Sequence, residues 1–258
     1  MSTPETVLVY TLDNGVALLS LNRPDKRNAL NRDLVQALKD GLDRAAADPE
    51  ARVVGITGLG KDFCSGADLA ELQTLSSLSE EENLADARSL GELFTKIRRH
   101  PRPVVAIVKG RALAGGCGLA TACDIVLARD DAEFGYPEVH LGFVPALVMT
   151  ILRRKVSETR AFELVARGHR ISAAEALEIG MVTRTFPAFT FSQNAKEYLD
   201  ELVAKPMSAL RLSKQLLYEL DDLGFEEGIE RGAQVNVEAR MSEECRSGVQ
   251  RFLDRSGD

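Results

Sequence analysis

Two loops of nearly bare backbone, LGKDFCSGADL (residues 59–69) and ALAGGCGLATACD (residues 112–124), each follow a short apolar run. Exposed backbone amides at a strand-to-helix junction suit negative charge developing on an oxygen, and two such loops can supply one donor each. The plain alternative is that the glycines only make tight turns and close packing. Phosphate readings fail at the level of single residues. Gly110 and Gly115 have the spacing of the glycines in G-x-x-x-x-G-K-[ST], but Gly116-Cys117 stands where a lysine and a hydroxyl would hold phosphate and magnesium. No G-x-G-x-x-G opens a helix here.

A candidate acid/base group is Glu138, in FGYPEVHLGFVP, which taken alone reads as a solvated loop glutamate. Apart from Glu138 and His140, PEVHLGFVP is apolar, a setting that raises a carboxyl pKa and suits a base. Tyr136 and His140 flank Glu138 by two residues and would share its face on an extended segment; as ordinary loop or surface residues they would do nothing. A nucleophilic reading would use Cys64 or Ser65, yet no G-x-S-x-G surrounds Ser65 and no histidine can be assigned to it. Arg23, Lys26 and Arg27 form a small basic cluster, otherwise a solvated loop.

The whole chain narrows the field. Four cysteines and three histidines are scattered without Cys-x-x-Cys or helical His pairs, so neither a zinc site nor a disulfide framework is expected. A net charge of −7 over 258 residues argues against a nucleic-acid partner. No run approaches the roughly 20 apolar residues of a membrane span, and MSTPETVLVY lacks a basic region followed by an apolar block. A soluble, cytoplasmic protein is expected.

These loops must be positioned by an α/β core. Residues 7–10 and 16–21 read as a hairpin around Asp13-Asn14-Gly15. Asn31 caps a helix carrying Leu34, Val35, Leu38, Leu42 and Ala45, and residues 53–57 read as a buried strand. A polar, helix-compatible stretch runs to Arg99; then come a strand at 104–108, a glycine loop at 109–116, a helix at 117–123 and a strand at 125–128. Such alternation indicates parallel pairing. Ser172-Ala-Ala-Glu175 is a capping box for a helix over 173–179. Residues 192–204, 208–220 and 225–253 have helical spacing.

Four segments taken together resemble the crotonase (enoyl-CoA hydratase/isomerase) family: VLVYTLDNGVALLSLNRPDKRNALN, ITGLGKDFCSGADL, the run from VVAIVKG to HLGFVP, and GHRISAAEALEIGMV. The resemblance implies a spiral of ββα units over residues 1–195 and a helical C-terminal region over 196–258 that packs into homotrimers, commonly paired as homohexamers. It implies acyl-CoA thioester substrates, with coenzyme A as part of the substrate and no metal or redox cofactor. The enolate would be held by the Ser65 and Gly115 amides, the Ser65 hydroxyl being an extra. Lys26 and Ala29 would meet CoA, Ala67, Asp68 and Leu69 would line the adenine side, and Phe252 would cover CoA from a neighbouring subunit.

Two departures accompany the match. Family hydratases usually divide water delivery and protonation between two glutamates; one matches Glu138, and the other would directly follow Cys117, where this chain has Gly118. The family's glycine-rich run after the proline is also replaced, Pro145 being followed by Ala-Leu-Val-Met. The resemblance therefore implies an enoyl-CoA hydratase/isomerase with Glu138 as its single glutamate. Isomerisation by a proton shuttle is the simplest chemistry. Hydration helped by Tyr136, His140, Asp68, Glu71 or the Ser65 hydroxyl, another crotonase reaction, and a non-catalytic acyl-CoA-binding homologue remain open.

Overall fold

The computed structural model describes residues 6–75 and 77–256. Asn14 and Gly15 take positive φ values of 46° and 81°, as a two-residue hairpin turn requires. They join β1 (Leu8–Asp13) to β2 (Val16–Leu21) in antiparallel register from Leu8↔Leu21 to Asp13↔Val16. α1 (Arg32–Ala47) begins at Asn31, whose side chain accepts the Leu34 amide at 3.0 Å. β3 (Val53–Gly58) then pairs in parallel with β2. The first glycine loop leads into α2 (Leu69–Leu75) and α3 (Glu80–Arg99), followed by β4 (Val104–Val108), β5 (Arg111–Leu113), α4 (Gly115–Ala122), β6 (Ile125–Arg129) and β7 (Glu133–Gly135). A short 3₁₀ helix, Pro137–Leu141, precedes α5 (Ala146–Lys155), α6 (Glu158–Arg167), β8 (Arg170–Ser172), α7 (Ala173–Glu178) and β9 (Arg184–Phe186). The chain closes with α8 (Phe191–Val203), α9 (Met207–Glu219), α10 (Phe225–Met241) and α11 (Glu243–Ser256).

Two sheets form the walls. The larger has the order β1-β2-β3-β4-β6-β9 and is parallel beyond the opening hairpin; the smaller has the order β5-β7-β8. From β4 to β7 the chain alternates between them, so each pass adds a strand to both, which makes a spiral. Single bridges at Cys64↔Ala112 and Leu30↔Ala67 extend the smaller wall back through the first glycine loop to the turn after β2. Leu19, Ile56, Phe63, Leu119, Phe134 and Tyr136 are fully buried in the main core.

Three expectations are corrected. The segment 109–116 is not all loop: Arg111–Leu113 pairs in parallel with Glu133–Gly135 to make β5, and on its other side the Cys64 amide donates to Arg111 O and the Leu113 amide to Cys64 O, both at 3.0 Å. Residues 225–253 are not one helix. Ser242 leaves the helix at ψ 145°, and its Oγ accepts the Cys245 amide at 3.1 Å to start α11, a serine favouring a cap over a helix interior. The division between residues 195 and 196 falls inside α8, whose Ala195 and Leu199 pack together on Val53, Val105 and Leu127. That helix therefore stays with the spiral, and the C-terminal helical region begins after it.

Candidate active site

Asn28 organises the approach to both loops. It is fully buried with φ 55°; its Oδ1 accepts the Arg23 amide at 2.9 Å, and its Nδ2 donates to the carbonyls of Leu59 and Asp62, both at 2.9 Å. Asp62 Oδ1 in turn accepts the Arg111 amide at 3.1 Å, so the RPDKRNAL turn, the first loop and the start of β5 form one bonded unit. Arg23 extends that unit. Its guanidinium donates to the Ala29 carbonyl and pairs with Asp68 at 2.8 Å, and both charged side chains are largely buried. The Arg23 hydrogen bond holds the Asp68 carboxyl below the usual carboxylate range. Arg23 is thus an internal clamp, and Lys26 and Arg27 are the exposed cations of the turn.

Hydrogen-bond accounting identifies which amides of the first loop are spent. The Ser65 amide donates to Arg27 O at 3.0 Å, so the expectation that it faces an oxyanion is corrected. Leu30 donates to Gly66 O at 2.7 Å and accepts from the Asp68 amide at 2.9 Å. In such a parallel bridge the amide of the intervening residue, Ala67, points away from Leu30. The two loops meet there: a Cβ on Gly66 would lie 3.5 Å from the Gly115 amide nitrogen, and a Cβ on Gly115 would lie 4.0 Å from that of Ala67. Gly115 opens α4, where amides have no partner within the helix.

Glu138 lies on the 3₁₀ helix rather than on an extended segment, which separates it from its flanking residues. Tyr136 is fully buried, its hydroxyl 3.4 Å from Thr121 Oγ1. His140 is exposed, with Nε2 3.2 Å from the Gly168 carbonyl. Glu138 is 7% exposed, its Oε2 has no hydrogen-bond partner among the described residues, and burial pushes its pKa up. The Ala114 amide donates to Gly135 O at 2.8 Å, tying the start of α4 to the strand that leads to Glu138. Burial pushes the thiols of Cys64 and Cys117 up to about 12, so both stay protonated at neutral pH and Cys64 is no ready nucleophile.

Gly118 is filled from outside its own helix. A Cβ placed there would fall 2.0 Å from Val148 Cγ1 and 3.5 Å from Phe94 Cζ, and both neighbours are buried. The two departures noted in the sequence, at Gly118 and after Pro145, are therefore one contact. A longer side chain on Gly118 has no room. Among the described residues, no three of His, Cys, Asp and Glu are grouped to hold a metal ion.

The sequence pattern of enoyl-CoA hydratase/isomerase matches residues 11–257. The chain belongs to this family of enzymes. It is 40% identical, over 93% of its length and 95% of the relative's, to a Thermus thermophilus protein whose name assigns it provisionally as an enoyl-CoA hydratase. It is 34% identical to the short-chain-enoyl-CoA hydratase of Clostridium acetobutylicum, over 91% of this chain and 85% of that one. The crystal structure of an enoyl-CoA hydratase from Mycobacterium smegmatis matches with a TM-score of 0.93 at 30% identity, covering 97% of each chain. The α/β spiral with its helical C-terminal region is the crotonase fold.

Of the family positions expected from sequence, the structure brings together Ala67, Gly115 and Gly118 around the start of α4, and ties Glu138 to it through Gly135. Ala29 is buried as a partner of Arg23, Leu69 is exposed at the start of α2, and Phe252 lies exposed on α11. Asn28, Phe94 and the inward role of Arg23 were missed by sequence reasoning. Val148 had a signal, the replaced glycine run after Pro145, but its contact with a residue thirty positions earlier had none.

Proposed function

We propose that this chain is an acyl-CoA enzyme that works through a thioester enolate, with Glu138 as its one acid/base group. The observation that carries the reading is the Val148 side chain in the space of Gly118: it leaves Glu138 as the buried carboxylate facing α4, with Oε2 uncommitted. The thioester oxygen is held by the amides of Ala67 and Gly115, which strengthen their hold as negative charge develops. Glu138 takes a proton from one carbon of the enoyl chain and returns it to another, moving the double bond without adding water. Lys26 meets a CoA phosphate as a point charge, and Ala29 and the Ala67-Asp68-Leu69 backbone line its path.

Hydration is the second reading, favoured by the hydratase names of the relatives. Mass spectrometry of a 3-enoyl-CoA and of its 2-enoyl isomer, each incubated with the protein in deuterated water, separates the two. Deuterium incorporation with conversion to the 2-enoyl isomer supports the shuttle; a product heavier by one water supports hydration. Neither change, on any enoyl-CoA, would point to a non-catalytic binding protein.

We further propose a homotrimer, or a pair of trimers, in the cytoplasm. Phe189, Phe225, Phe252 and Phe162 are 70–90% exposed, side chains that contacts between subunits would cover. Phe252 is the residue offered to a neighbour's CoA. Sedimentation at micromolar concentration tests the assembly, and a monomer there would overturn it.

A further inference from the structure

The three helices that close around Gly118 also line a second space beyond it, open to solvent on one side. α3 continues from Phe94 to Arg98, α5 from Val148 through Ile151 to Arg154 and Lys155, and α4 from Gly118 to Thr121 and Ala122. Between them and Tyr218 of α9 lies a cavity of about 150 Å³, the liquid volume of about five waters. Phe94, Ala122 and Ile151 give it an apolar wall, while Arg98, Arg154 and Lys155 line it with positive charge and no carboxylate among the described residues lines it.

The charges around this cavity do not balance. Asp221 alone pairs with both Arg98 and Arg154. Lys155 Nζ donates to the Cys123 carbonyl at 3.1 Å. The carboxylate whose charge reaches Lys155, Asp124, already holds Lys214 at 2.8 Å and the Tyr218 hydroxyl at 2.6 Å. Four cations thus share two carboxylates. Burial depresses the Lys155 pKa, as it does for a cation with too little counter-charge. A carboxylate entering the cavity would gain charge-assisted hydrogen bonds from groups that already converge.

We propose that this cavity binds a carboxylate, carried by the far end of the acyl chain of a substrate thioester. The proposal rests on the acyl-CoA reading above and names its substrate class. From Gly115 to Ala122 the helix rises about 10 Å, a span that an extended chain of about eight to ten carbons covers. Phe94 is the wall common to both spaces, since its ring stands over Gly118 and also lines the cavity. A chain that reaches the cations turns that ring. A free aliphatic acid entering from solvent offers the same chemistry, and the experiment separates the two sources.

The test is calorimetric binding of two thioesters of equal length to the full chain: octanoyl-CoA and the CoA monothioester of octanedioic acid. Free hexanoate and octanedioate are titrated separately. The carboxylated thioester is expected to bind at least ten-fold more tightly than octanoyl-CoA, and Lys155→Met to reduce that ratio several-fold. Arg154→Gln, at a side chain 40% exposed, provides a second variant that leaves the core packing alone. Equal affinity for the thioesters, with free acid bound by wild type and not by Lys155→Met, would support the carboxylate site and assign it to a separate ligand. Equal affinity with no binding of either free acid overturns the proposal. Failure of both thioesters to bind would remove the acyl-CoA reading instead, and the free-acid titrations would then decide the cavity alone.

Discussion

Val148 occupies the volume that a side chain on Gly118 would need: its Cγ1 lies 2.0 Å from the position of a Gly118 Cβ. The contact joins α4 to α5 and replaces a polar position by apolar packing. Gly118→Ala overpacks it, at a cost of about 1–3 kcal/mol, against about 1 kcal/mol gained from alanine's helix propensity. A net loss of roughly 1 kcal/mol is expected in urea denaturation. In a Val148→Ala background the same change should become neutral or stabilising, a coupling of about 0.5–3 kcal/mol. Full stabilisation by Gly118→Ala in the wild type would mean that Val148 does not fill the space. Gly118→Glu should fold only when combined with Val148→Gly, and that pair is the variant in which water addition is to be sought.

Glu138→Gln keeps the shape of the side chain and removes its proton chemistry. Turnover is expected to fall by about 10²–10⁴, while calorimetric binding of a saturated acyl-CoA stays within a few-fold of wild type. Turnover within a few-fold of wild type would move the acid/base role elsewhere.

The raised pKa of Glu138 has a sign that stability can read. Burial disfavours its ionised form in the folded state. Below the ordinary value of 4.5 both folded and unfolded forms are protonated and no penalty exists. As pH rises through that value and on through the raised one, the folded state loses stability relative to the unfolded state. Glu138→Gln removes this loss, so its stability advantage over wild type should be larger at pH 7 than at pH 4. The acid limb of kcat/KM should likewise lie above the ordinary carboxylate range. An advantage that does not change with pH would mean that Glu138 is better solvated than its burial indicates.

Local chemistry was the legible part of this molecule. Asn31, the Asn14-Gly15 turn and the Ser172–Glu175 box act within four residues, and each does in the structure what its type dictates. Features set by distant packing were not legible. Tyr136 and His140 separate from Glu138 because Pro137 starts a 3₁₀ turn, which alternation along a strand does not anticipate. The choice between Ser65 and Ala67 depends on which amide the turn after β2 consumes, and that turn lies more than thirty residues upstream. The cation cluster behind Phe94 assembles from α3, α5 and α9, and no local pattern joins them.

Arg23→Met tests the clamp beneath the first loop. It leaves the Asp68 carboxylate without its partner in a largely buried setting, and a hydrogen bond between charged groups contributes about 1.5–3 kcal/mol. Because the folded pKa of Asp68 is lowered, the stabilisation is present above the ordinary value of 3.8 and is lost as pH falls through the lowered one. The difference in stability between wild type and Arg23→Met should therefore shrink as pH falls below 3.8. A difference that does not change with pH would show that the guanidinium acts through the Ala29 carbonyl instead.

The assignment of the oxyanion donors can be tested one atom at a time. Codon suppression with lactic acid at position 67 replaces the Ala67 amide by an ester, which removes the N–H and keeps the methyl group. Loss of one such donor costs about 10²–10³ in kcat; the substitution also turns the Gly66 carbonyl into an ester, a weaker acceptor for the Leu30 amide, so the unfolding free energy should fall by no more than about 0.5–1.5 kcal/mol. The corresponding ester at Ser65 loses the bond to Arg27 O, so it should lower the unfolding free energy by about 0.5–1.5 kcal/mol with a much smaller effect on kcat. Ser65→Ala, which keeps the amide, should change kcat by less than a few-fold. If the ester at 65 abolished turnover and the ester at 67 did not, the first loop would turn to its ligand in a register two residues earlier than the hydrogen bonds indicate.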